Sequence, residues 1–518
     1  MTARRRAAAI ALIAGALGAR AQAPQLGALN FPTSGNAAAQ PHFITGVLYL
    51  HSFEYESALK EFKESERLDP SFAMAFWGEA MTYTHPVWDE QDAPAARAAL
   101  ARAPQAKTGR EREYLAAVNV LYGAGGKAQR DTLYSAAMAV LAKHYPDDVE
   151  AQLFYALSLL GLNQGDRDVP TYLRAGAIAE SAFAHHPDHP GAAHYMIHSY
   201  DDPQHAAIAL SAARAYSHIA PDAAHAQHMT SHIFLALGLW DDVVRANETS
   251  LRVVAAHSAM DPAMHGTCGH YAEWLEYGYL QQGRPSEAEK VLAGCWAVVQ
   301  RTASARSGES YATMRAAYFV DDPEPLGPWP TRSPAVLDRD AADALAFGSA
   351  LAAWRAGDSV SLASAIAKID SLASAPGFAD DRYLPILRRE MRAMQAVQRE
   401  DVPAAMVWIR AAAKLDDSLP MPFGPPATFL PPHEFAGNVL LRNGRFDSAI
   451  VEYQLALART PRRPGVLLGL ALAQAKLDHE TDASKTYAEL LEIWRAADPG
   501  FPGKSLAESG RARLEGKP

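Results

Sequence analysis

The sequence predicts an all-α fold, an α-α superhelical solenoid of stacked helix–turn–helix repeats. Alanine is abundant along all 518 residues, valine and isoleucine are sparse, and few segments alternate with period two. That pattern favours helix over strand. Small and aromatic residues recur 34 apart, as in Ala449 to Ala483 and Tyr453 to Tyr487. Apolar content of 49% with 20% charged residues describes a chain that folds. Its length exceeds one ordinary core, so several domains or a repeat array are expected.

At the N-terminus, Arg4 to Arg6 precede a 13-residue apolar run, Ala7 to Ala19, and a small-residue site, Ala19-Arg20-Ala21. This is the pattern of a secretory signal peptide over residues 1–21, with Pro24 disfavouring cleavage after Ala23. The run is too short for a bilayer, and no later stretch reaches about 18 uninterrupted apolar residues. The mature chain is therefore expected to be exported, periplasmic or extracellular, with no membrane span after signal cleavage. Losing four arginines takes the net charge from −10 to −14. So acidic a chain lacks the positive footprint that nucleic acid or anionic lipid needs, and no nucleic-acid partner is expected.

Residues 22–318 read as an N-terminal solenoid. Within 39–72, Gly46 and Tyr49 sit on a first helix, Ala58 and Phe62 on a second, and Pro70 closes the unit. Units begin near Gln40, Ala73, Val149, Pro190, Ala224 and Gly269, with a further hairpin near 111–145. Asp202-Pro203 reads as a cap followed by proline at the first helical position. "LGLWDD" at 237–242 reads as a glycine stop followed by aspartate caps, and "QQGRPSEAEK" at 281–290 does the same job. Residues 319–337 form a proline-rich connector. Its "FVDDPEPLGPWPTRSP" holds five prolines and is expected not to be helical. Residues 338–515 read as a C-terminal solenoid, with hairpins near 341–415, an irregular segment at 420–432, and a unit from Leu430 carrying Gly437, Gly444, Ala449, Tyr453, Ala456 and Pro461. Each hairpin has one apolar face too many to stand alone, so stacking must bury it.

These positions resemble the tetratricopeptide repeat family, whose 34-residue unit places small residues where its paired helices cross. "MAFWGEAMTYTHPVW" at 74–88, "HPGAAHYMIH" at 189–198 and the stretch 457–500 are similar to a group of exported bacterial tetratricopeptide proteins. The resemblance spans nearly the whole mature chain. It implies the fold and implies no activity.

Of 19 histidines, 13 lie between His185 and His270. His194 and His198 occupy the fifth and ninth positions of one first helix, and His228 and His232 occupy the same positions in the next unit. Residues four apart share a helical face. In tetratricopeptide domains the second, fifth and ninth positions resemble one another in facing the concave groove, so four imidazoles are expected to converge there. His225 holds position two of its unit. In the following unit His270, Glu273 and Tyr277 hold positions two, five and nine. Trp77, Met81 and His85 are further groove candidates from the unit near Ala73.

Paired imidazoles on facing helices suit a transition metal such as Zn, Cu, Ni or Fe. The expected ligands are His194, His198, His228 and His232, with His270 and Glu273 as outer candidates. Asp201, Asp202 and Asp222 are placed either as partners of the imidazoles or as helix caps. The main expectation is a scaffold that binds a protein, peptide or small ligand in a histidine-lined groove, with a bound metal as its sharper form. The alternative is a metal-dependent enzyme using the same four histidines for hydrolytic or oxidative chemistry. No phosphate loop, dinucleotide fingerprint, HExxH or GxSxG motif is present. For the two cysteines, antiparallel helices about a turn near 283–284 displace Cys295 from the residue opposite Cys268 by about one helical turn. That leaves both a disulfide and a pair of thiols open.

Overall fold

The computed structural model describes residues 23–162, 167–257, 267–321, 332–335, 339–375, 378 and 381–516. The expected signal peptide, most of the connector, and Met264 and His265 just upstream of Cys268 and His270 lie outside the described residues. The chain is a run of antiparallel helical hairpins. The first seven are α1 (Ala39–His51) with α2 (Tyr55–Leu68), α3 (Ala73–Met81) with α4 (Ala93–Arg102), α5 (Gly109–Leu121) with α6 (Lys127–His144), α7 (Val149–Leu160) with α8 (Val169–His185), α9 (Pro190–Ser199) with α10 (Ala206–Ile219), α11 (Ala224–Ala236) with α12 (Trp240–His257), and α13 (His270–Gln281) with α14 (Pro285–Thr302). Then come α15 (Ala305–Asp321), α16 (Arg339–Arg355), α17 (Ser359–Ala373), α18 (Leu384–Gln398), α19 (Val402–Asp416), α20 (Pro432–Arg442), α21 (Phe446–Arg459), α22 (Pro464–Lys476), α23 (Glu480–Ile493) and α24 (Pro502–Glu515). The only strands among the described residues are β1 (Thr84–His85) and β2 (Glu90–Gln91), an antiparallel pair with Thr84 opposite Gln91. The fold is a tetratricopeptide-like superhelical solenoid.

The helices begin where the residues say they should. Asp148, Asp168, Asp358 and Asp401 cap α7, α8, α17 and α19 through their carboxylates, and Thr108 and Glu111 form a reciprocal capping box on α5. Gly238 and Gly283 adopt the left-handed conformation at the ends of α11 and α13. Two boundaries differ from expectation. Asp202 accepts from the Gln204 and His205 amides in a turn, and α10 starts only at Ala206. Asp241 and Asp242 lie inside the first turn of α12 and do not cap it. The expected connector also starts later, because α15 runs on through Phe319 to Asp321.

Packing explains the repeat. A Cβ on Gly46 or Gly78 would lie 2.7 or 2.3 Å from the Phe62 ring, and one on Gly437 or Gly469 would lie 2.5 or 2.3 Å from Tyr453. Each large ring of a second helix thus wedges between glycines of two successive first helices. The glycine spacing is the stacking distance written into the chain.

The inner face does not remain an open groove. Helix α1 packs against α9 as well as against α2 and α3, so the first turn of the superhelix closes on itself. The Tyr216 hydroxyl donates to Ser52, and His51 shares a 2.8 Å hydrogen bond with the Tyr195 hydroxyl. Residues 25–36 seal one edge, running past the starts of α11, α9 and α5. The Gln25 amide donates to Asp222, Ala28 to the Asp188 carbonyl and Ser34 to Glu111. Leu26 and Phe31 point into the core, where the Phe31 ring meets Phe43, Trp77 and Tyr114. Cys268 and Cys295 form a disulfide, with Cα atoms 4.3 Å apart.

Candidate metal centre

Because the turn closes, the histidines expected on a solvent-lined groove are buried instead. His194, His198, His225, His228 and His232 are each 0–8% exposed. The repeat frame delivers them as expected from α9 and α11, one turn apart on a shared face. The structure, however, divides the expected foursome between two sets. His194 and His198 join His225, and His228 and His232 join His270; within each set one ligand atom per residue lies within 4.8 Å of the others.

In the first set the Nε2 atoms of His194, His198 and His225 are all buried without a hydrogen-bond partner. His194 donates its Nδ1 proton to the His51 carbonyl at 2.6 Å, which leaves its Nε2 a bare lone pair. Burial takes the His194 imidazole down to about 3, and burial with neighbouring histidines holds His198 and His225 well below the ordinary range. All three are neutral near pH 7, the form that ligates a metal. Phe53 closes the set from above. Its ring centroid is 4.3 Å from that of His194 and stacks on His198 and His225 at 5.6 and 5.5 Å. Phe53 holds this place with a φ of +55° at the α1–α2 turn, a conformation that costs a non-glycine residue of order 1 kcal/mol or more. The adjoining Glu54 carboxylate accepts from the His225 amide, tying that turn to the start of α11.

In the second set the Nε2 atoms of His228 and His232 face each other at 3.1 Å. His232 Nδ1 bonds to Asp201 at 2.5 Å, and His228 Nδ1 bonds to Asn247 Oδ1 at 2.7 Å. The Asn247 amide is oriented by its own Nδ2 bond to the Val243 carbonyl, so Oδ1 faces the imidazole. Trp274 stacks on His232 with centroids 4.2 Å apart. His270, at the start of α13, keeps a solvent-exposed edge.

A third cluster, His51, Glu150 and His189, was not singled out from the sequence. Glu150 bridges the imidazoles, 2.6 Å from His51 Nε2 and 3.0 Å from His189 Nε2. Burial pushes its carboxyl up, but the two imidazoles outweigh that and hold it below the usual range. The ring nitrogens that face Glu150 are spent on its carboxylate, so the cluster reads as a buried hydrogen-bonded brace. No local motif could have revealed it, since α1, α7 and the residue that precedes α9 supply one member each.

Other expected residues fall elsewhere. Glu273 hydrogen-bonds to Ser310 and joins neither set. Tyr277 accepts from Arg463 at 2.7 Å in a separate network. Trp77 is core, 1% exposed, and edge-on to Phe154. Met81 is buried and lines a narrow cleft with Leu50, Phe53, Tyr55 and Tyr134. His85 stacks on Tyr55 at 4.0 Å, near the rim formed by Trp88. Asp201 does orient an imidazole, whereas Asp202 holds His205 and Asp222 accepts from Gln25.

No known family model matches the chain, and no curated protein sequence is similar to it. Its structure is similar to that of human IFIT1 in a dimer with PPP-AAAA, at 15% identity over 92% of this chain and 90% of that one, with a TM-score of 0.34. It is similar to the APC/C hetero-tetramer Cut9-Hcn1, at 12% identity over 92% of this chain and 76% of that one, TM-score 0.34. Yeast Tom70 aligns at 11% identity over 92% of this chain and 96% of that one, TM-score 0.31. No residue role or ligand is carried over from them.

Proposed function

We propose that the protein is an exported solenoid whose closed first turn holds a transition metal on His194, His198 and His225. One observation carries this reading: His194, His198 and His225 each bring a ring nitrogen within 4.8 Å of the others, and their buried Nε2 atoms have no hydrogen-bond partner. Leaving a buried polar atom unpaired costs about 1–3 kcal/mol, and three together are best explained by a ligand that pays for all of them. An all-imidazole set suits Zn, Cu, Ni or Fe. Three protein ligands with a further position open is the arrangement that lets such an ion polarise a bound water or carbonyl, which supports the hydrolytic or oxidative alternative. The chain's own residues exclude bulk water through Phe53 and fix the His194 tautomer through the His51 carbonyl. A protein or peptide partner fits the N-terminal groove poorly, because closure buries its inner face and residues 25–36 seal one edge. Export is supported by the pattern of residues 1–21 and by the disulfide, a bond that oxidising compartments sustain.

The test is metal analysis of the purified protein against a variant carrying His194→Gln, His198→Gln and His225→Gln, with circular dichroism to verify folding. The wild type is expected to carry metal that the variant lacks. Equal metal content in two folded proteins would overturn the assignment.

A further inference from the structure

We infer that His228 and His232, with His270, form a second divalent-cation site beside the first, so that the centre holds two ions. The nitrogens involved differ from those of the first set. His232 Nδ1 is engaged by Asp201, and His228 Nδ1 by an Asn247 oxygen of fixed orientation, so in the neutral form of each ring the proton is drawn to Nδ1. In that form their Nε2 atoms, which face each other at 3.1 Å, present two lone pairs to one another. Two lone pairs at that distance repel unless a positive charge lies between them. Metal–nitrogen bonds of about 2.0–2.1 Å around a tetrahedral ion put ligand nitrogens about 3.3 Å apart, so this pair already stands near the spacing a cation needs. The carboxylate–histidine pairing of Asp201 with His232 is the arrangement that orients metal-bound imidazoles. His270 supplies a third ligand from α13 and an exposed edge by which an ion can enter.

The two sets share a wall. The rings of His198 and His232 lie 6.1 Å apart, as do those of His225 and His228. The class of ligand is the same in both, a divalent first-row cation that favours imidazole, of which Zn²⁺ is the probe. This inference deepens the proposed function but does not stand on the same atoms.

The experiment strips the full chain with a chelator and titrates Zn²⁺ by competition with a chromophoric chelator. Co²⁺ spectra of the wild type provide a second measurement that needs no variant. The wild type is expected to take two equivalents, with the Co²⁺ spectrum breaking at two. His228→Gln with His232→Gln is expected to take one, and so is His194→Gln with His198→Gln. A wild type that saturates at one equivalent, retained with unchanged affinity in the His228/His232 variant, overturns the second site alone. One equivalent lost in that variant and kept in the His194/His198 variant supports the second site and sinks the first. No bound Zn²⁺ in any protein overturns both, leaving a shared proton between His228 and His232.

Discussion

A neutral imidazole has two nitrogens and one proton, so whatever accepts that proton decides what the other nitrogen can do. At His232 the acceptor is Asp201, which lies in the loop after α9 and is steadied by Arg167, 3.5 Å from Asp202 and 2.8 Å from the Ser199 carbonyl. Asp201→Asn keeps the shape and removes the charge. Metal affinity at the second set is expected to fall about 10- to 100-fold, read by chelator competition, with zinc at the first set unaffected; an unchanged affinity at both would show that Asp201 does not act on a bound ion. Charge buried without a partner behaves differently. Both Glu390 carboxyl oxygens are buried and unpaired, and burial, with Asp416 and Glu434 nearby, raises its carboxyl well above the ordinary range. A raised acid contributes stability below its unfolded value of about 4.5 that is lost as pH rises towards the folded value. Glu390→Gln is therefore expected to match the wild type near pH 4 and to exceed it in melting temperature by a few degrees at pH 8, a gap that thermal scans across pH will measure. The sequence showed the paired histidines through their spacing of four, a purely local signal. It did not show Phe53 or His51, because those reach the site only when α1 meets α9.

Helix starts were legible because the repeat frame carries its register from unit to unit: α3, α7, α9 and α11 begin at Ala73, Val149, Pro190 and Ala224, with an Asp148 cap on α7 and a proline opening α9, while α3 and α11 start without a side-chain cap. Asp202 misled because an aspartate satisfies a turn as well as a helix start, and its two amide partners belong to the turn. The end of α15 misled because the first proline after Phe319 is Pro323, which still permits helix through Asp321. The glycine wedges test how strictly the elements are spaced. Alanine is favoured over glycine inside a helix by about 1 kcal/mol, so indifferent packing would make Gly78→Ala and Gly469→Ala stabilising. The new Cβ would instead stand 2.3 Å from Phe62 or Tyr453, and overpacking costs about 1–3 kcal/mol or more. A net loss of about 1–2 kcal/mol is expected in urea denaturation. Gly294→Ala, inside α14 with its nearest neighbour at an ordinary 3.5 Å, serves as the control and should gain slightly. If all three behave alike, the wedge does not set the repeat spacing.

Closure of the whole molecule depends on contacts that no repeat pattern announces. In its second half the chain returns to its middle: the Trp240 indole donates to the Arg462 carbonyl at 3.0 Å, Trp494 donates to the Gln281 carbonyl at 3.1 Å, and the Ser286 amide donates to Asp498. At the centre of this return sits Arg463, fully buried just before α22. It donates to Glu434 at 2.5 Å, to Asp321 at 2.7 Å and to the Tyr277 hydroxyl at 2.7 Å, joining α20, α15 and α13. Burial raises both carboxyls despite the guanidinium beside them, so removing that charge leaves two acids with no compensation. Arg463→Met keeps most of the volume, and at pH 7 it is expected to cost about 3–5 kcal/mol in urea denaturation. The pH dependence distinguishes electrostatics from packing. Below the ordinary carboxyl range the two acids are neutral in the folded and unfolded chain alike, so the deficit should shrink near pH 3; a packing defect would persist. Hydrogen exchange locates the effect: amides in α13 and α22 should lose protection together if Arg463 holds the two halves closed. A deficit equal at both pH values, or exchange rising in α22 alone, would mean that the halves meet through the tryptophan contacts and that the buried ion network follows closure without driving it.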